Sequence, residues 1–331
     1  MPPPDTIYIP GITGPPPQLP DTPAQYYLEQ VTDTSGWAIG LQASEIKPQF
    51  MFTQGQMFLF VVGMLVLLYL LMVGLPSLRE RIRNTRKDGR VKEQVERKRK
   101  QYDEWLSGFN PYYRSLPADL KAVFLHRTVR FATEKVFRFH QLPDEEFTRV
   151  MISGAAVQMT LGLKNYLMDY FPVIHVIRRE YVLEMDKETY YGHVSRNGIY
   201  IAWNHFLEGY ADYTDSYNVG LHEMAHAVSF DVFLGQTDRH DLAFRSRLED
   251  FSLEGLPVFR AMRQGSSHLL DDYGATNFDE FWAVCVETFF ENAEEFSRTM
   301  PDLYLSIVDL LNQDPLNPSK IINSDLAGHN T

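Results

Sequence analysis

Nineteen consecutive residues, MFLFVVGMLVLLYLLMVGL from Met57 to Leu75, carry no charge. At about 1.5 Å per residue a helix of that length reaches roughly 28 Å, enough to cross the hydrocarbon core of a bilayer. The run predicts one transmembrane helix, over residues 50–78. A buried core helix is the competing reading, but it does not account for the sharp difference in charge between the two flanks. A cleaved signal peptide fits less well. The run begins more than fifty residues in, no basic region precedes it, and no small-residue cleavage pattern follows it.

The flanks set the expected orientation. Before the run stands Lys47 and no arginine, whereas residues 79–100 hold eleven Lys or Arg against four acidic residues. The positive-inside rule then predicts a single-pass protein of the cell (inner) membrane, with its large C-terminal part in the cytoplasm and its N-terminal tail outside. The whole chain has a formal net charge of -12, so the basic block is a local device. Attraction to anionic lipid headgroups suits it. No aromatic residue interleaves the block, so no nucleic-acid partner is expected. The one cysteine, Cys285, excludes an intramolecular disulfide framework and a multi-cysteine metal cluster. Any metal must be held by His and carboxylates.

Five segments follow. Residues 1–49 open MPPPDTIYIPGITGPPPQLPDTP and read as a Pro-rich extended tail. Residues 50–78 form the membrane helix. Residues 79–104 form a basic polar helical connector, with opposite charges at helical spacing such as Glu93 to Arg97. Residues 105–320 are globular, and residues 321–331 are a C-terminal tail. Within the globular part, SLPADLKAVFLHRTVRF starts a helix near Pro117, and VMISGAAVQMTLGL (150–163) reads as a second, buried one. FPVIHVI (171–177) and GIYIAW (198–203) suit strands. Helices are expected again over 216–233, 278–293 and 301–315, giving an α+β, helix-dominated fold.

The chemistry concentrates in GLHEMAHAVSF, residues 220–230. On a helix, His222 and His226 lie one turn apart on one face and can present both imidazoles to a single ion, with Glu223 beside it. A zinc ion held by two His and a carboxylate keeps a position open for water, lowers the pKa of that water and polarises a carbonyl, leaving Glu223 to move the proton. The plainer alternative is an amphipathic helix with two solvated histidines. The surrounding Val219, Leu221, Met224, Ala225, Ala227, Val228 and Phe230 argue against it, because buried imidazoles need partners.

A third ligand has to come from elsewhere, and His240, His268, Asp271, Asp272, Asp279, Glu280 and Glu287 are the downstream candidates. Thr276 and Asn277 offer an N-cap for a helix whose first turn holds Glu280 among Phe278, Phe281 and Trp282. Glu287 falls on nearly the same face, so the pair can serve as ligand and supporting partner. A core-edge residue bound to a backbone donor is an equally good account of Glu287.

These segments resemble the Mlc titration factor A family of zinc metallopeptidases, themselves similar in their active site to lethal-factor-type peptidases. HEMAH (222–226), YGATNFDEFWAVCVETFF (273–290) and PDLYLSIVDLLNQDPL (301–316) carry the likeness, which extends back to about residue 105. It implies a zincin-like peptidase fold, one Zn2+ per chain on His222, His226 and Glu280, Glu223 as general base and Tyr273 as oxyanion stabiliser. GIYIAW, by the same analogy, runs beside an extended peptide. Two departures stand out. Ala227, Val228 and Ser229 replace a polar, an aliphatic and an Asp residue, removing a carboxylate that could support the metal, and Val286 replaces a common Ser.

The expected function is a membrane-tethered zinc peptidase acting on a peptide or protein substrate. The soluble relatives bind a transcriptional repressor, so the alternative is a zinc-stabilised regulatory protein with little or no hydrolysis. A metal-free membrane scaffold is the third reading.

Overall fold

The computed structural model describes residues 7–9, 54–183, 187–234, 239–266 and 269–320. Most of the Pro-rich tail and all of the tail over 321–331 lie outside the described residues. The chain divides into two compact units, one of residues 17–89 and one of residues 1–16 with 90–331.

In the first unit the apolar run is helical throughout. It comprises α1 (Gln54–Tyr69), a π-helical stretch (Leu70–Gly74) and the start of α2 (Leu75–Phe109). Its side chains are exposed, Phe58 at 68% and Met72 at 69%. None of the apolar run is buried. It is long and apolar enough to cross a membrane.

The second unit takes in the later turns of α2. Val91, Val95, Tyr102 and Leu106 are buried, one stripe at spacings of four and seven residues along an otherwise charged surface. The connector expected over 79–104 therefore contributes to the core from Val91 onward. Tyr102 donates to Glu146 at 2.7 Å and accepts from Gln94 at 2.8 Å, and Lys98 pairs with the same glutamate.

The chain continues through α3 (Pro111–Ser115), α4 (Ala118–Glu134), β2 (Val136–His140) and α5 (Glu146–Thr160). Every residue from Val150 to Thr160 is buried, so α5 is the central helix; Ser153, Gly154, Ala155 and Ala156 are small enough to let α4 and α7 (Val219–Leu234) approach it. Strands β3 (Val173–Ile177), β6 (Gly192–Ser195) and β7 (Gly198–Ala202) complete a four-stranded sheet of order β2-β3-β7-β6. The first three run parallel, with His175 opposite Tyr200, and β6 joins β7 antiparallel at the edge. The turn into β7 needs Gly198: its φ is +142°, and a Cβ there would stand 2.4 Å from the carbonyl oxygen of Val173.

A smaller sheet has the order β1-β4-β5, from Ile7–Ile9, Tyr181–Leu183 and Thr189–Tyr190. β1 lies parallel to β4, with Ile7 opposite Tyr181. Three residues of the expected extended outer tail are thus a strand of the globular unit, because Ile-Tyr-Ile suits a pleated edge.

After β7 come α6 (Trp203–Ala211), α7, α8 (Arg239–Arg263), α9 (Phe278–Glu291), α10 (Ala293–Thr299) and α11 (Pro301–Leu311). The result is a helix-dominated α+β unit. α7 packs against α5, α9, β6 and β7, which places the His-Glu motif at the meeting of helices and sheet.

Candidate metal centre

Asn218 starts the motif helix. Its Oδ1 accepts from Leu221 N–H at 3.1 Å, the N-cap of α7, while its Nδ2 donates to Gly209 O at 3.1 Å and Glu291 Oε1 at 2.9 Å. Asn277 does the same for α9, accepting from the N–H groups of Asp279 and Glu280 at 2.9 and 3.0 Å. Trp282 Nε1 donates to Ala225 O at 3.0 Å and ties the two helices together. Glu280 is thereby aimed across at His222 and His226.

Three ligand atoms converge. Glu280 Oε2 lies 2.9 Å from His222 Nε2 and 3.3 Å from His226 Nε2, and the two Nε2 atoms are 3.2 Å apart. Metal–ligand bonds of about 2.0–2.1 Å at tetrahedral angles require ligand atoms about 3.3 Å apart, so these three residues could hold a metal ion. On the far side of the ring, His222 Nδ1 is 3.1 Å from Glu287 Oε2, and Glu287 Oε1 accepts from Asn218 N–H at 2.7 Å.

The electrostatics suit a cation. Burial opposes charging His222, yet Glu287 and Glu280 together hold its pKa well above the ordinary imidazole value. Burial would raise Glu280, but hydrogen bonds from both histidines hold it well below the carboxylate range. Glu223 is buried, and that desolvation, opposed by the two imidazoles, pushes its pKa to about 7. Its Oε2 has no hydrogen-bond partner among the described residues. Tyr273 sits in a 3-10 turn (Asp272–Ala275), 54% exposed, its ring 5.9 Å from that of His222. Burial of the phenol and the nearby Glu280 and Glu223 raise its pKa to about 12.

The structure brings His222, His226, Glu280, Glu223, Tyr273 and Glu287 into one place. Asp271 instead caps the turn of Tyr273, accepting its N–H at 2.8 Å, and Asp272 is exposed. Asp279 is not among the converging ligands. His268 and the side chain of His240 lie outside the described residues. GIYIAW does not have a free edge: β7 is hydrogen-bonded to β3 on one side and β6 on the other. The edge strand β6 also packs on the motif helix, and its Gly192 lies against Glu223. Sequence reasoning missed β6 and Asn218; the signal for the second was an Asn directly before the apolar run, where an N-cap belongs.

The family model for Glucose-regulated metallo-peptidase M90 matches residues 82–310. Among curated proteins, the uncharacterized protein slr2042 of Synechocystis sp. is 29% identical over 111 residues, covering 31% of this chain and 39% of the relative. The chain spans about two fifths of the length of that relative.

Proposed function

The chain belongs to the glucose-regulated metallo-peptidase M90 family, and on that premise we propose that it is a zinc-dependent peptidase in which His222, His226 and Glu280 hold one ion. The convergence of their three ligand atoms, at 2.9, 3.2 and 3.3 Å from one another, carries the reading. When bound, zinc supplies positive charge that acidifies water and polarises a peptide carbonyl. The side chains do the rest. Glu223, buried beside the two histidines with Oε2 unpartnered among the described residues, would take a proton from the attacking water and pass it to the leaving amine. The Tyr273 phenol, raised to about 12, stays protonated and donates to the carbonyl oxygen as negative charge develops. β6, at the sheet edge beside Glu223, offers an extended substrate backbone groups to pair with.

Glu223→Gln tests this. Elemental analysis should find zinc retained while cleavage of a peptide library is lost. A variant that cleaves as well as wild type overturns the mechanism. One that has lost cleavage but still acts in the cell would favour a zinc-stabilised regulator.

The apolar helix is the proposed anchor, with the basic residues 79–100 and the peptidase unit on the cytoplasmic side, supported by its exposed apolar surface and the charge bias. A tail on the far side and the pairing of β1 with β4 exclude one another in a single molecule. The anchored form therefore has Ile7–Ile9 released from Tyr181–Leu183. Digestion of residues 101–331 by protease added outside intact cells would reverse the orientation.

A further inference from the structure

We propose that Glu287 is the positioning residue of the metal centre, a carboxylate that fixes the tautomer and the rotation of His222. The inference rests on the zinc reading above and assigns a role that the sequence left open. Both oxygens of Glu287 are used, and both on the first turns of α7: Oε1 accepts from Asn218 N–H at 2.7 Å, and Oε2 lies 3.1 Å from His222 Nδ1. Residues 218 and 222 are one helical turn apart, so the carboxylate clips the start of the helix and the ring together.

Imidazole chemistry gives that contact its consequence. A neutral histidine has one N–H, and a carboxylate can only accept. Donation from Nδ1 leaves the lone pair on Nε2, the atom that faces Glu280 and His226. Glu280 and Glu287 are seven residues apart on α9, two turns along one face, so one helix supplies a ligand in front of the ring and a support behind it. Burial reinforces the point: Glu287 is 3% exposed, so its two oxygens depend on protein partners rather than on water.

Glu287→Gln tests the assignment in the full-length, detergent-solubilised chain. Its amide cannot accept at both ends, so either Asn218 N–H or His222 Nδ1–H meets a donor. Zinc affinity, measured by competition with a chromophoric chelator, should weaken about 10- to 100-fold. The visible spectrum of the cobalt-substituted protein should change as the ligand field is loosened. Glu287→Asp, which keeps the charge and shortens the reach, should recover part of the affinity; it also serves if the Gln variant does not fold. Unchanged zinc affinity and cobalt spectrum in a variant whose metal-free melting temperature has fallen would make Glu287 structural and overturn the proposal. If wild type binds no zinc, the peptidase reading falls as well; if wild type binds and the variants match it, only Glu287 loses its role.

Discussion

Gly192 and Glu223 are in contact across the motif: a Cβ built on Gly192 would stand 2.5 Å from Cγ of Glu223 and 2.6 Å from its Oε1. The edge strand β6 thus reaches the proposed general base only because residue 192 has no side chain. Gly192→Ala should push the carboxylate aside without touching a metal ligand. A displacement of about 1 Å at a reacting group costs on the order of 100-fold. The expected outcome is a kcat reduced about 10- to 100-fold with zinc still bound at one per chain. Full activity in this variant would mean that Glu223 can move without consequence.

Tyr273 offers a cleaner separation of chemistry from stability. It is 54% exposed, so Tyr273→Phe should change unfolding free energy by no more than about 0.5 kcal/mol. If its phenol serves the developing oxyanion, kcat should fall about 100-fold while KM and zinc content stay near wild type. Steady-state kinetics beside elemental analysis decides it, and a fall confined to KM would instead place Tyr273 in substrate binding.

A pH effect is expected one turn beyond Glu287. Burial raises the Glu291 carboxyl to about 9, despite the hydrogen bond from Asn218. Its folded pKa lies above the ordinary 4.5, so its contribution is complete below pH 4.5 and is lost progressively as pH rises toward 9. Each pH unit in that window costs up to about 1.4 kcal/mol. Glu291→Gln, isosteric with the protonated acid, should flatten the fall: between pH 5 and 8, wild type should lose roughly 2–4 kcal/mol relative to the variant in denaturant titrations. Parallel pH profiles would show that Glu291 is ionised in the folded protein.

The comparison of sequence with structure divides along physical lines. α7 and α9 were legible because caps and dense apolar surroundings agree there: Asn277 was expected to cap α9 and does. His222 and His226 were legible as a pair from their spacing, whereas Glu280 was one of seven downstream candidates until the family resemblance singled it out. α8 was not read, since Pro257 interrupts its pattern and its exposed face is heavily charged. β6, Gly-His-Val-Ser, is too short and polar to announce a strand, and its role depends on where α7 passes beneath it. Val91, Val95, Tyr102 and Leu106 did form a periodic stripe, but one diluted among eleven basic residues. The partnership of Glu287 with Asn218 joins positions sixty-nine residues apart, a distance no local pattern encodes.

The parallel pairing of Ile7–Ile9 with Tyr181–Leu183 also has a temporal side. The chain is made from its N-terminus, at roughly 5–20 residues per second, and about 170 residues separate the two strands, so β1 waits roughly 10–35 s before its partner exists. The apolar helix is complete more than a hundred residues before Tyr181 is added. The pairing of β1 with β4 is therefore among the last contacts of the N-terminal residues to form, and it closes only after the whole apolar helix has been made.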